Sequence, residues 1–131
     1  MNYRYRCSCG NVFDNAETSA VCPKCQKENS TDGCGIVQLY RLGNYVGCAV
    51  KMGLFVDEQP YGAIANKGNI KLVIPYGEHQ LEATLRRTKT LKKPVVNLTP
   101  EQPEAYYKIA MDIFGTEIAL KEAEKDSMPD K

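Results

Sequence analysis

Cys7-Ser8-Cys9-Gly10 and Cys22-Pro23-Lys24-Cys25 place four of the chain's six cysteines in two tight pairs, separated by the twelve residues Gly10 to Val21. Two turns that each present two thiolates can close a tetrahedral shell around zinc, whose sulfur ligands sit at about 2.3 Å. Pro23 stiffens the second turn, and Gly10 relieves crowding after the first. A shell of four protein thiolates leaves no position for a substrate, so the expected ion is structural, with Cys7, Cys9, Cys22 and Cys25 as its ligands. The alternatives are two disulfides or free buried thiols. MNYRYRCSCG lacks the apolar centre of a secretion signal, so a reducing compartment is expected, and that disfavours stable disulfides.

The segment between the pairs, NVFDNAETSAV, offers Val12, Phe13 and Val21, enough for a short hairpin but not for a core. A module of this size needs a staple, and a structural zinc supplies on the order of 10 kcal/mol of apparent folding free energy. CSCGN followed by a distant CxxC resembles the zinc-binding form of a small bacterial large-subunit ribosomal protein and, more loosely, the zinc ribbons of many short bacterial proteins. Cys34, between two glycines, reads as a bystander at the end of this ribbon, and Cys48 as a small core residue of a strand.

Other chemistry is sparse. His79 is the only histidine, and it shares strand parity with Leu81 and Leu85, which suits a hydrogen-bonded structural role. No serine or cysteine stands in a nucleophile motif, and Gly33-Cys34-Gly35 is too short for a phosphate loop. The chain therefore reads as a non-enzyme. The run RRTKTLKK supplies Arg86, Arg87, Lys89, Lys92 and Lys93, a candidate polyanion-binding strand. Lysines on an edge strand also protect against sheet-to-sheet aggregation, and no aromatic residue interleaves with these charges to stack bases.

Positioning falls to the remaining sequence. The chain has 131 residues and a net charge of +1, enough for one small module and one domain of ordinary size. Residues 83–100 hold five basic groups and no acid, whereas residues 101–131 hold eight acids and four lysines. A basic strand beside an acidic tail favours internal pairing as much as an external polyanion. ENSTDG reads as a linker. After it, GIVQLYRL and AVKMGLFVD read as strands, the second alternating Val50, Met52, Leu54 and Val56 on one face. Further strands are expected at 61–65, 70–74, 79–88 and 93–98. EAYYKIAMDIFG fits both a strand and a helical stripe. Its tyrosines and isoleucines, with the Gly115-Thr116 break, favour a hairpin into 117–123.

FVDEQPYGAIANKGNIKLVIPYGEHQLEA, followed by PVVNLTPEQPEAYYKIAM, is similar to the small bacterial β-sandwich modules of the PEGA-like kind. Asp57, Gly62, Pro75, Gly77 and His79 carry the likeness, at strand ends and turns. It implies a surface or interaction domain. The expectation is an all-β chain: a zinc ribbon over 1–34, an antiparallel β-sandwich of about seven strands over 35–124 and a disordered tail over 125–131. No apolar run is long enough for a membrane helix. The expected function is non-enzymatic binding in the cytoplasm, with another protein as the partner. The alternative is association with nucleic acid through the ribbon and the strand 86–93, and salt-dependent retention would separate the two.

Overall fold

The computed structural model describes residues 2–42, 51–85, 88–90, 92–111 and 117–128. Within them the chain is all-β apart from a 3-10 turn at Lys125–Ser127. The strands are β1 (Tyr3–Arg6), β2 (Val12–Asn15), β3 (Ser19–Val21), β4 (Glu28–Ser30), β5 (Cys34–Arg41), β6 (Met52–Val56), β7 (Gln59–Ile64), β8 (Asn69–Pro75), β9 (Gly77–Leu85), β10 (Thr88–Lys89), β11 (Val95–Leu98), β12 (Glu104–Met111) and β13 (Ile118–Glu122). They form a six-stranded sheet in the order β13-β12-β5-β8-β1-β2, a smaller sheet in the order β10-β9-β6-β7 with β11 also on β9, and the separate hairpin β3-β4.

The two larger sheets face each other over one core. Val37, Leu39, Leu72, Ile74, Tyr107, Ile109 and Ile118 from the large sheet meet Met52, Leu54, Val56, Leu81, Ala83, Leu85, Val96 and Leu98 from the small one. The period-2 pattern read in AVKMGLFVD and in Leu81, Ala83 and Leu85 is the core face of β6 and β9,. EAYYKIAM is a strand, and β12 pairs β13 antiparallel through Tyr107↔Glu122 and Met111↔Ile118. Two pairings in the large sheet run parallel, β1 with β8 and β12 with β5. Such pairings need long crossovers, which here pass through the opposite sheet.

Segments on both sides of position 34 share the large sheet. β1 pairs β2 on one side and β8 on the other, with Tyr3↔Lys71 and Arg4↔Leu72 in register. The hairpin partner of Val12 and Phe13 is thus β1, while Val21 belongs to β3 and pairs with Glu28 of β4. The first three residues of ENSTDG form β4 rather than a linker. Tyr5, Ala20 and Val73 form a second cluster, with Tyr3, Phe13, Cys34 and Ile36 against it. This cluster lies on the outer face of the large sheet, so β8 is buried on both faces, with Leu72 and Ile74 inward and Val73 outward. At the tail, Met128 is buried after the 3-10 turn.

Arg4 joins the two sheets. Its Nε donates to Asp14 Oδ1 at 2.7 Å, and its Nη1 donates to the Tyr61 carbonyl at 3.2 Å and to that of Ala63. These carbonyls belong to β7, the edge of the small sheet. Gly62, at φ +76°, makes the approach possible: a Cβ there would stand 3.1 Å from Arg4 Nη1,.

Candidate metal centre

Cys7 and Cys9 lie where the chain leaves β1, and Cys22 and Cys25 where it leaves β3. Each pair is held by a tight turn. The Gly10 amide donates to the Cys7 carbonyl at 2.8 Å, and the Gln26 amide donates to that of Cys22 at 2.9 Å. Gly10 has φ +94° and Gln26 φ +69°, left-handed conformations that curl the backbone around the sulfurs,. Tyr5 fixes the base of the first turn, since its ring stacks on Phe13 at 5.4 Å between centroids and its hydroxyl donates to the Glu17 carbonyl.

The turns bring all four sulfurs within 4.8 Å of one another. Cys7 Sγ is 3.4 Å from Cys25 Sγ, and Cys9 Sγ is 3.8 Å from Cys22 Sγ. Both separations exceed the roughly 2.05 Å of a disulfide. Cys7 and Cys22 are buried, whereas Cys9 and Cys25 face solvent. Four close cysteines of this kind could hold a metal ion.

The surroundings favour thiolates in part. The Cys9 amide, chiefly, lowers the Cys7 thiol to about 6, against the opposing effect of burial. Burial also opposes ionisation of Cys22, but the amides of Cys25 and Lys24 and the Asn11 side chain outweigh it and lower that thiol. The Lys24 amide lies 3.4 Å and Asn11 Nδ2 3.5 Å from Cys22 Sγ. The Lys27 amide favours the Cys25 thiolate, yet the Cys7 sulfur, burial and the other two sulfurs push Cys25 up to about 12. The cluster thus accommodates some negative charge on its own, and a cation at its centre would let all four sulfurs ionise. Asn11 carries no ligand spacing of its own in the sequence. Its signal was there, an amide side chain just after Gly10 in CSCGN.

The other candidate residues scatter. Arg86 and Arg87 lie outside the described residues, as does Cys48. Lys89 belongs to β10 at the edge of the small sheet. Lys92 is exposed, and Lys93 Nζ is 3.5 Å from Glu82 Oε1, so one charge of the basic run is paired within the chain. Cys34 stays apart from the metal cluster and packs under Tyr5, where burial raises its thiol. His79 uses both ring nitrogens, Nδ1 at 2.6 Å from Asp57 Oδ2 and Nε2 at 2.7 Å from the Pro75 carbonyl.

No helix among the described residues is long and apolar enough to cross a membrane. No protein-family model, no curated protein and no solved structure matches the chain.

Proposed function

We propose that Cys7, Cys9, Cys22 and Cys25 hold a structural zinc ion and that the chain is a non-enzymatic interaction protein. In this reading the zinc ribbon is a rigid cap on a PEGA-like β-sandwich that offers the recognition surface, and the setting is cytoplasmic. The observation that carries the metal reading is the sulfur geometry. Four sulfurs at about 2.3 Å around a tetrahedral ion stand roughly 3.8 Å apart, which matches the Cys9 to Cys22 separation and is slightly wider than that of Cys7 to Cys25. The donor set is soft and closed, which suits zinc held for structure. A structural role for His79 is supported by its two acceptors, which occupy both ring nitrogens. Zinc content of protein purified without added metal tests the reading. One zinc per chain, with folding of residues 1–34 lost on chelation, is expected. Absence of zinc together with only two free thiols after denaturation, those of Cys34 and Cys48, would replace the metal with disulfides.

Nucleic-acid association through the ribbon and residues 86–93 is the second reading. The exposed Lys92 favours it, and the Lys93 to Glu82 pair weakens it.

A further inference from the structure

The outer face of the large sheet gathers residues that are far apart in the sequence. One row across the strands runs Tyr106, Gln38, Lys71, Tyr3, on β12, β5, β8 and β1. The next row runs Lys121, Lys108, Tyr40, Asn69, on β13, β12, β5 and β8. Three tyrosines and three lysines thus share one face of the large sheet, whereas Lys93 pairs with Glu82 on β9 of the small sheet. A hollow of about 210 Å³ opens between Tyr3 and Tyr106, with Ile36 and Gln38 also lining it. Lys71, Lys125 and Glu104 complete its rim.

We infer that this face binds single-stranded RNA, with one base in the hollow against Tyr106 and the next on Tyr40. Four features support it. First, Tyr106 and Tyr40 occupy neighbouring strands one row apart, roughly 8 Å between their Cα atoms from strand spacing and rise, close to the step between extended nucleotides. Second, two of the three rings, those of Tyr106 and Tyr3, are set in advance. The Tyr106 hydroxyl donates to Glu104, and Lys71 Nζ lies 5.5 Å from the centroid of the Tyr3 ring. Third, Lys108 and Lys121 stand directly opposite each other. Opposed like charges destabilise a sheet, and among the described residues neither lysine has an ion-pair partner,. A phosphate between them offsets that cost. Fourth, the strip between the aromatic positions is amide, with Gln38 Nε2 donating to Asn69 Oδ1 at 3.0 Å. Gln38 is buried, so a ribose hydroxyl on this strip meets the half-buried Asn69, a contact that deoxyribose cannot make, which commits the face to RNA over DNA,. Glu104 at the rim is an acceptor, so the hollow favours a base with an exocyclic amino group, such as cytosine, over uracil.

The proposal deepens the interaction reading and takes only Tyr3 from the ribbon and none of the four cysteines, so zinc content measured on the same preparation separates its failure from failure of the metal assignment. The test is fluorescence anisotropy of a labelled nine-residue cytidine RNA with the full chain. Expected is saturable binding below roughly 100 µM at low salt. Lys108→Glu with Lys121→Glu should weaken it at least tenfold, and neutralising both lysines instead should cut the salt slope by about 1.4, the single-strand value for two phosphate contacts. Tyr106→Ala should weaken binding with unchanged thermal unfolding. Lys121→Glu alone, at an exposed position, keeps the test open if Tyr106→Ala does not fold. The uridine RNA should bind more weakly than the cytidine RNA. Absence of saturable binding, or unchanged binding in the lysine variants, overturns the proposal. Equal affinity for the deoxycytidine oligomer removes the RNA assignment, and equal competition by polyglutamate replaces nucleic acid with an acidic peptide.

Discussion

The Asp57 carboxylate takes His79 Nδ1 on one oxygen at 2.6 Å and the Gln80 amide on the other at 2.8 Å. Asp57 and Glu58 both have positive φ, 52° and 68°, in the two-residue turn that joins β6 to β7. The usual residues for such a turn include glycine or asparagine, so the side-chain bonds to β9 help to hold an unfavourable backbone. His79 in turn reaches the Pro75 carbonyl. Three strand ends are thereby tied at one corner of the sandwich.

Asp57→Ala should lower stability by about 1 kcal/mol, a figure reduced from that of a buried charged bond because half of the carboxylate is exposed. The carboxylate resists burial, but the Gln80 amide and His79 outweigh that cost and hold Asp57 below its ordinary range. A depressed carboxylate contributes above its unfolded value of 3.8, and the contribution fades as pH falls through the lower folded value. Urea unfolding of the two proteins should therefore differ at pH 6 and converge towards pH 3. A difference that persists unchanged at acid pH would assign the effect to the turn backbone alone.

Metal affinity should rise with pH. In the metal-free cluster Cys25 is pushed up to about 12 while Cys7 is lowered to about 6, so binding at neutral pH displaces protons. Competition with a chelator from pH 6 to pH 9 should show tighter binding at the alkaline end. Affinity independent of pH would mean that the thiols are already ionised.

Removal of residues 1–34 takes β1 away from β8 and uncovers Val73. It also strips the Arg4 bonds from the carbonyls of β7. The truncated chain should unfold at lower urea concentration than the full chain and associate through the bared strand edge. Equilibrium unfolding and light scattering check both effects. Unchanged stability would show that the sandwich does not need β1.

Gly35→Ala should cost about 2 kcal/mol. Its Cβ would meet the Pro103 carbonyl oxygen at 2.8 Å and Leu98 Cβ at 2.9 Å, contacts that force a backbone shift in a packed core. The Pro103 carbonyl also accepts from the Ile36 amide at 2.8 Å, so it has little freedom to retreat. Thermal unfolding of the variant decides.

Local features were legible in the sequence, and long-range pairings were not. The cysteine clusters showed because ligand spacing is a property of a few adjacent residues. Met52, Leu54 and Val56 showed because alternation marks a half-buried strand. The strand Tyr3–Arg6 escaped notice because its alternation of tyrosine with arginine is polar on one side: Arg4 and Arg6 point towards β7 rather than towards an apolar core. The parallel neighbours of β1 and β5 left no local mark, since register between distant segments is written in complementarity rather than in either segment alone. For the same reason the tyrosine and lysine rows could not be read along the chain. Tyr3, Tyr40 and Tyr106 become neighbours only once four strands, β12, β5, β8 and β1, are ordered.

The two parallel pairings impose an order on synthesis. Tyr3 joins Lys71, and Ile36 joins Glu104, each closing a loop of roughly 70 residues that is slow and entropically costly to form. Cys7 and Cys25, by contrast, are eighteen positions apart. On a growing chain the sulfur cluster can assemble while most of the large sheet has not yet been made, and β1 must then wait for β8 to emerge before it finds its place. An ion captured early would keep β1 and β2 folded back on each other through that interval, protecting the open edge of β1 from foreign chains before β8 exists.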